Sequence, residues 1–189
     1  MIEQFENLLL STKRGGIENL IEFIRKSDFY KAPASTRFHS CHEGGLLEHT
    51  LNVYKCLKNK ENNTIWKDIF KDIPEESLII SALLHDLCKT HFYVVDYRNK
   101  KNNNGEWEKV PYYTVDDKIP YGHGEKSVMM IEEYIKLTPI EKYAIRWHMG
   151  WSEPKENYNT LGKAMGKYPL VLALHEADQE ATYLLEEEE

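Results

Sequence analysis

Six side chains able to hold a metal stand where packing alone gives no reason for them. His85 and Asp86 are adjacent inside the apolar run of residues 78–89, between Leu83, Leu84 and Leu87. A carboxylate desolvated in such a helix costs several kcal/mol unless it is paired or binds a cation. His49, His148 and Asp178 repeat the pattern on other apolar helices, and His123 sits at a Gly-rich helix start. Histidine and carboxylate donors without a thiolate suit divalent ions: Mn, Fe, Co, Ni, Zn or Mg. His85 and Asp86 diverge by about 100° around a helix axis, so a shared centre must lie over the groove between them. Asp86, with two oxygens and several lone pairs, is the better bridge between two ions. His49, His85, Asp86 and Asp178 form one expected site, and His123 and His148 with Asp86 a second. His91 and His175 read as ordinary residues, although His175 lies one turn before Asp178. Cys56 and Cys88 read as small core residues.

The elements that must position these residues are mostly helical. Amphipathic stretches at 2–10 and 17–26 are separated by a turn at Lys13-Arg14-Gly15-Gly16. Residues 28–38 read as extended, with Pro33 against helix. A long helix is expected from about His39 to Lys58. Gly44-Gly45 at its start costs about 1 kcal/mol per glycine relative to alanine, a cost usually offset by close approach of another group. Pro74 and two acids open a helix ending near Lys89. Residues 92–98 turn to strand character, 99–105 form a polar loop, and Trp107 to Val115 reads as a second strand. This hairpin insert spans 92–117, with Pro111 marking an edge strand. Helices resume at about 124–136, 139–149 and 169–185, with Gly150 as a C-terminal cap. The expected architecture is one all-α domain over 1–189. Its N-terminal helices occupy 1–27 and its core 28–180, and Glu186–Glu189 forms a frayed, solvated tail.

Bulk properties agree with a soluble globular domain of 189 residues, 41% hydrophobic and 29% charged. The net charge is −7, of which the four terminal glutamates supply four, leaving about −3 for the body. No basic excess suggests indiscriminate nucleic-acid binding, and bound cations would reverse the local sign for a nucleotide. Three cysteines, Cys41, Cys56 and Cys88, form no Cys-x-x-Cys pair, so no disulfide partner is expected. No signal peptide or membrane span is readable, which places the expected location in the cytoplasm.

Leu46-Leu47-Glu48-His49-Thr50, Leu84-His85-Asp86-Leu87-Cys88-Lys89, Gly122-His123, Trp147-His148 and Ala177-Asp178 together resemble the HD-domain metal-dependent phosphohydrolase superfamily, named for its adjacent His-Asp pair. The order of the six ligands is similar to the branch with two or more metals. Phe29-Tyr30-Lys31-Ala32-Pro33-Ala34, followed by His39, His42 and residues 44–50, resembles a narrower group that includes the HD domain of bacterial 3′-to-5′ exoribonucleases. In that group an OB domain precedes the HD domain, whereas no OB-like strand series precedes residue 28 here, so capture of long RNA is not expected.

The resemblance implies an HD-type helical bundle that hydrolyses a phosphomonoester or phosphodiester of a nucleotide or short nucleic-acid end, using water activated by two divalent cations. Asp86 and Lys89 are the candidate catalytic residues. Lys89, one turn after His85, is also the first candidate for a phosphate contact, with Arg37, His39 and His42 lining the same mouth. Lys126 and Arg146 are weaker candidates. The hairpin aromatics Tyr93, Tyr97, Trp107, Tyr112 and Tyr113 mostly pack the strands, with one or two facing a base. Two other readings stay open. The ligand order also resembles HD-fold mixed-valent diiron oxygenases, and a metal-holding module could sense a nucleotide without turnover.

Overall fold

Where apolar residues recur at helical spacing, the chain forms short helices that stack around two larger clusters of buried side chains and a smaller third one. The computed structural model describes residues 1–37 and 40–186. Helices α1 (Ile2–Ser11) and α2 (Ile17–Lys26) fall where the sequence places them, burying Phe5 and Leu9 from one and Ile17, Leu20, Ile21 and Ile24 from the other. The segment expected to be extended instead turns at once: the Asp28 carbonyl accepts from the amides of Lys31 and Ala32. Aromatic packing explains the turn. Phe29 and Tyr30 close onto the Phe5 ring, with centroids 5.3 and 5.9 Å away.

Helix α3 (Gly45–Asn59) begins at the second glycine rather than near residue 39. A Cβ at position 45 would lie 2.0 Å from the Ser40 carbonyl oxygen, so the turn ahead of the helix can pack this closely only against glycine. A short α4 (Lys67–Phe70), which the sequence pattern did not reveal, precedes α5 (Glu75–Leu84). After the hairpin come α6 (His123–Glu132), α7 (Pro139–Trp147), α8 (Tyr158–Lys167) and α9 (Pro169–Leu184). The α8 stretch also escaped the pattern, since it buries only Leu161 and Ala164. Helix α7 ends at His148, and Gly150 starts a separate 3-10 turn instead of capping it. Helix α3 lies against α5 and α9, and α7 against α6 and α9. Leu84 and Leu87 belong to one buried cluster and Ala177 to the other, so the expected ligands between them are carried to the seam where the two meet.

The inserted hairpin pairs β1 (Tyr93–Lys101) with β2 (Trp107–Val115), from Tyr93 opposite Val115 to Lys101 opposite Trp107. Its ladder continues through Asn99, Lys100 and Lys101, which the sequence assigned to a loop. Nearly every residue of β1 is exposed, so polar side chains there carry no burial penalty. The Asn102 Oδ1 accepts the amides of Asn104 and Glu106 and closes the remaining turn. Pro111 is tolerated because both strands of a two-stranded ribbon are edges. Among the described residues no helix is long and apolar enough to cross a membrane, and Cys41, Cys56 and Cys88 form no disulfide.

One buried ion pair fastens the N-terminal turn to the bundle. Glu141, with a fully buried side chain, accepts from Arg14 Nη2 at 2.7 Å and Nη1 at 3.0 Å, from Ser77 Oγ at 2.8 Å, and from the Thr138 amide at 2.8 Å. Burial alone would raise the Glu141 pKa, but these donors outweigh it and lower it from the ordinary 4.5. Removing one partner of such a pair strands the other charge. Arg14→Ala is therefore expected to destabilise the protein by about 3 kcal/mol in urea denaturation. The unfolded chain binds the Glu141 proton at higher pH than the folded one. The carboxylate's contribution is thus complete above about pH 4.5 and is lost on acidification through the lower folded pKa. The stability gap between wild type and Glu141→Gln should shrink over that interval, as read from urea midpoints at stepped pH.

Candidate metal centre

Two histidines of the site are placed by the same local device. Helices α5 and α7 each end on a histidine, and each ring turns back onto the carbonyl three residues earlier. His85 Nδ1 donates to Ala82 O at 2.8 Å and His148 Nδ1 to Ile145 O at 2.7 Å. Those carbonyls have lost their helical partners at the helix end and need a donor. Because a carbonyl only accepts, the proton sits on Nδ1 in both rings and Nε2 is left to point inward. At the break after α5, Asp86 leaves the helical path (φ −104°, ψ 19°) before a 3-10 turn at Leu87–Lys89. The break removes the divergence a continuous helix would impose, and His85 Nε2 comes within 3.4 Å of Asp86 Oδ2.

Asp86 is the hub of the cluster, with its two oxygens facing different partners. Oδ2 faces His85, His49 Nε2 at 3.7 Å and Lys89 Nζ at 2.7 Å, while Oδ1 faces His123 Nε2 at 2.8 Å and His148 Nε2 at 3.6 Å. Asp178, from the middle of α9, meets His49 Nε2 at 3.2 Å. The rings stand close together, with centroids 5.4 Å apart for His49 and His85, 4.8 Å for His85 and His148, and 5.1 Å for His123 and His148. His123, first residue of α6, reaches the hub because Gly124 lets α6 approach α7: a Cβ there would lie 2.2 Å from the Arg146 carbonyl oxygen. All six ligand candidates are thus brought to one place.

These residues fit divalent cations. His49, His85 and Asp178 each offer a ligand atom within 4.8 Å of the others, as do His85, Asp86 and His148, and Asp86, Cys88 and His123. His85 Nε2 is buried with no hydrogen-bond partner among the described residues. A buried imidazole lone pair aimed at carboxylates, with the opposite nitrogen fixed by an acceptor, is the arrangement a cation uses. Cys88, expected as a core residue, is indeed buried, yet its Sγ lies 3.3 Å from His123 Nδ1 and adds a thiol to the donor set.

The local field favours positive charge. Burial would raise the Asp86 pKa, but Lys89, His85, His123 and His148 hold it well below the usual range. Asp178 is lowered too, its burial penalty overcome chiefly by its contact with His49. Burial pulls His49 down, but Asp178 and Glu186 outweigh it and push it up to about 9. His123, opposed by burial and supported by Asp86 and Cys88, is also raised to about 9.

The expected substrate contacts are placed less uniformly. Lys89 Nζ is shared between Asp86 and the Ala34 carbonyl, at 2.7 Å from each, so it stands at the cluster rather than in solvent. The Asp86 carboxylate, against the cost of burial, keeps the Lys89 pKa raised. Arg37 is exposed. His42 precedes α3 instead of lying on it, and its exposed ring meets Glu48 at 3.4 Å. His39 lies outside the described residues. Lys126 and Arg146 are held by carboxylates, Lys126 by Asp117 at 2.7 Å and Arg146 by Glu125 and Glu153 at 2.5 and 2.8 Å. His175 Nδ1 donates to the His148 carbonyl at 2.8 Å and so steadies the backbone of a candidate ligand. Glu186, assigned to a solvated tail, is instead buried beneath His49, where its carboxylate accepts from Asn52 and Ser40 and meets His49 Nδ1 at 3.0 Å. Residues 187–189 of that tail lie outside the described residues. No signal in the sequence separates Glu186 from the acids after it.

Among curated proteins, a dihydroneopterin 2′,3′-cyclic phosphate phosphodiesterase of Methanocaldococcus jannaschii is 36% identical to this chain over 111 residues. The match covers 59% of this chain, and the chain spans 39% of the relative's length. No protein-family model matches, and no solved structure matches.

Asp86→Asn keeps the side-chain shape and loses the charge. It is expected to weaken Mn²⁺ binding more than about 100-fold in calorimetry, and to abolish the cation-induced rise in Tm. Because His49 and His123 are raised to about 9, cation uptake at pH 7.5 must expel protons from them. Affinity should therefore climb with pH and level off above about 9, with the proton release read from the buffer dependence of the binding enthalpy.

Proposed function

We propose that this protein is a metal-dependent phosphodiesterase acting on a small nucleotide-like substrate, with a 2′,3′-cyclic phosphate as the favoured class. The observation that carries this reading is the convergence of His49, His85, His123, His148 and Asp178 on the buried carboxylate of Asp86. The cyclic phosphate named for the M. jannaschii relative narrows the substrate from nucleic-acid ends in general to a small cyclic ester. The same likeness favours hydrolysis over the oxygenase and sensor readings.

The chain's own residues divide the work. Two divalent cations held by these residues would supply the Lewis acidity that activates water and offsets charge building up at phosphorus. His49, His85 and Asp178 would hold one, His123 and His148 the other, and Asp86 would face both through its separate oxygens. Lys89, whose ammonium reaches the cluster and the Ala34 carbonyl, would meet a non-bridging phosphate oxygen. Tyr93 hydrogen-bonds the same carbonyl at 3.0 Å, which sets the base of the hairpin beside the proposed phosphate position. The exposed rings of Tyr97 and Trp107 stand farther along the ribbon, where a base could stack.

Purified protein loaded in turn with Mn²⁺, Co²⁺, Ni²⁺, Fe²⁺, Zn²⁺ and Mg²⁺ should open 2′,3′-cyclic nucleotides to phosphomonoesters, and Asp86→Ala should abolish turnover while its circular dichroism is preserved. Turnover by a metal-stripped Asp86→Ala protein would end the assignment. Iron-dependent oxygen uptake without ester cleavage would transfer it to the oxygenase class. Shortening the hairpin beyond Tyr97 and Pro111 should raise KM several-fold and leave Mn²⁺ affinity unchanged, as checked by steady-state kinetics beside calorimetry; an unchanged KM would remove the ribbon from substrate binding.

A further inference from the structure

The Glu186 carboxylate reaches the back of the cluster from two residues beyond the end of α9. Its side chain is fully buried and faces donors on three sides. His49 Nδ1 lies 3.0 Å from Oε2 and 3.2 Å from Oε1, Asn52 Nδ2 donates to Oε1 at 3.0 Å, and Ser40 Oγ donates to Oε2 at 3.0 Å. A carboxylate that already accepts from Asn52 and Ser40 offers His49 acceptor oxygens and no donor. Its contact with His49 therefore requires the proton on Nδ1. The opposite nitrogen, Nε2, is the one that faces Asp178 and Asp86.

We infer that Glu186 is a positioning residue for the metal centre. It fixes His49 as the Nδ1–H tautomer with Nε2 turned to the cation, and ties that ligand to the segment leading into α3. His85 and His148 obtain the same orientation from the carbonyls of Ala82 and Ile145 at their own helix ends. His49 lies within the first turns of α3, where the neighbouring carbonyls are engaged in the helix, so its Nδ1 partner has to come from elsewhere in the chain. Glu186 supplies it. The bond to Ser40 gives this arrangement a second consequence. Ser40 has a left-handed backbone (φ 45°), an uncommon conformation for a residue with a side chain, and its carbonyl accepts the Ala34 amide while packing against Gly45. The Ala34 carbonyl in turn accepts from Lys89. One carboxylate thus links the orientation of a ligand to the turn that holds the proposed phosphate contact.

The inference rests on the metal-dependent reading above, and its test separates the two. Wild type, Glu186→Gln, Glu186→Ala and Ser40→Ala proteins are titrated with MnCl₂ by calorimetry. The ring nitrogens of His49 are followed in long-range 1H–15N spectra of the cation-free proteins at about pH 10, where the ring is neutral and its tautomer can be read. Glu186→Ala should weaken Mn²⁺ affinity about 10- to 100-fold and convert a pure Nδ1–H signal into a mixture of tautomers. Glu186→Gln, which keeps one acceptor oxygen and the shape, should fall between it and wild type, and it carries the test if the alanine variant does not fold. Ser40→Ala should leave affinity within about threefold and raise KM. Affinity and tautomer unchanged in both Glu186 variants, with only Tm lowered, would reduce Glu186 to a fastening for the end of α9 and overturn the inference. Wild type that binds no Mn²⁺ overturns the metal reading beneath it.

Discussion

A carboxylate shut away from water must be surrounded by positive charge or by donors, and Asp86 is shut away almost completely. Four histidines and Lys89 surround it, and they arrive on separate elements: α3, the turn after α5, the start of α6 and the end of α7. Bringing those elements to one point dictates much of the bundle. It requires α6 and α7 to approach closely enough to exclude a Cβ at Gly124, and it requires α5 to stop at Leu84 rather than run on. The apolar side chains supply the drive to pack; Leu83, Leu84 and Leu87, fully buried, contribute roughly 1.5–3 kcal/mol each. The need to compensate one charge decides where that packing must leave room.

Helix ends do most of the placing. A helix interior engages its own backbone, so a side chain there can be aimed only by other side chains. At a C-terminus the last carbonyls are open, and His85 and His148 use them as anchors that settle both ring orientation and tautomer. His49 and Asp178 sit within helices and are aimed differently, by each other and by Glu186. The cluster therefore combines two candidate ligands held by local backbone with two held by long-range contacts. The second pair depends on α3 and α9 keeping their relative position, which the packing of these two helices against each other provides.

That division explains what could be read from residue order. The six candidate ligands stand out because ligand-capable residues in apolar helices violate the pattern around them, and the hairpin and the helices other than α4 and α8 follow from periodicity and turn residues. The way His85 and Asp86 converge was not recognisable. Adjacent residues on a continuous helix point apart, and nothing in Leu84-His85-Asp86-Leu87 announces that the helix stops there. Pro33 makes residues 28–38 read as extended chain, while the aromatic contacts of Phe29 and Tyr30 with Phe5 that turn the start of this segment exist only after α1 has docked. Glu186 was invisible for a similar reason. One acid among four has no local mark of burial; its partners are more than a hundred residues away in sequence.

Lys89 and Glu186 approach the cluster from opposite sides and end on the same short segment. Lys89 holds the Ala34 carbonyl, the Ala34 amide holds the Ser40 carbonyl, and the Ser40 hydroxyl holds Glu186. This chain of hydrogen bonds begins on Asp86 and finishes on His49, so it closes a ring around the centre through backbone that contributes no ligand. Ala34 and Ser40 are each tied to charged groups whose positions the cluster determines. Charge compensation at Asp86 and the positions of Ala34 and Ser40 are therefore set by one network, and a side chain that loosens either end disturbs both.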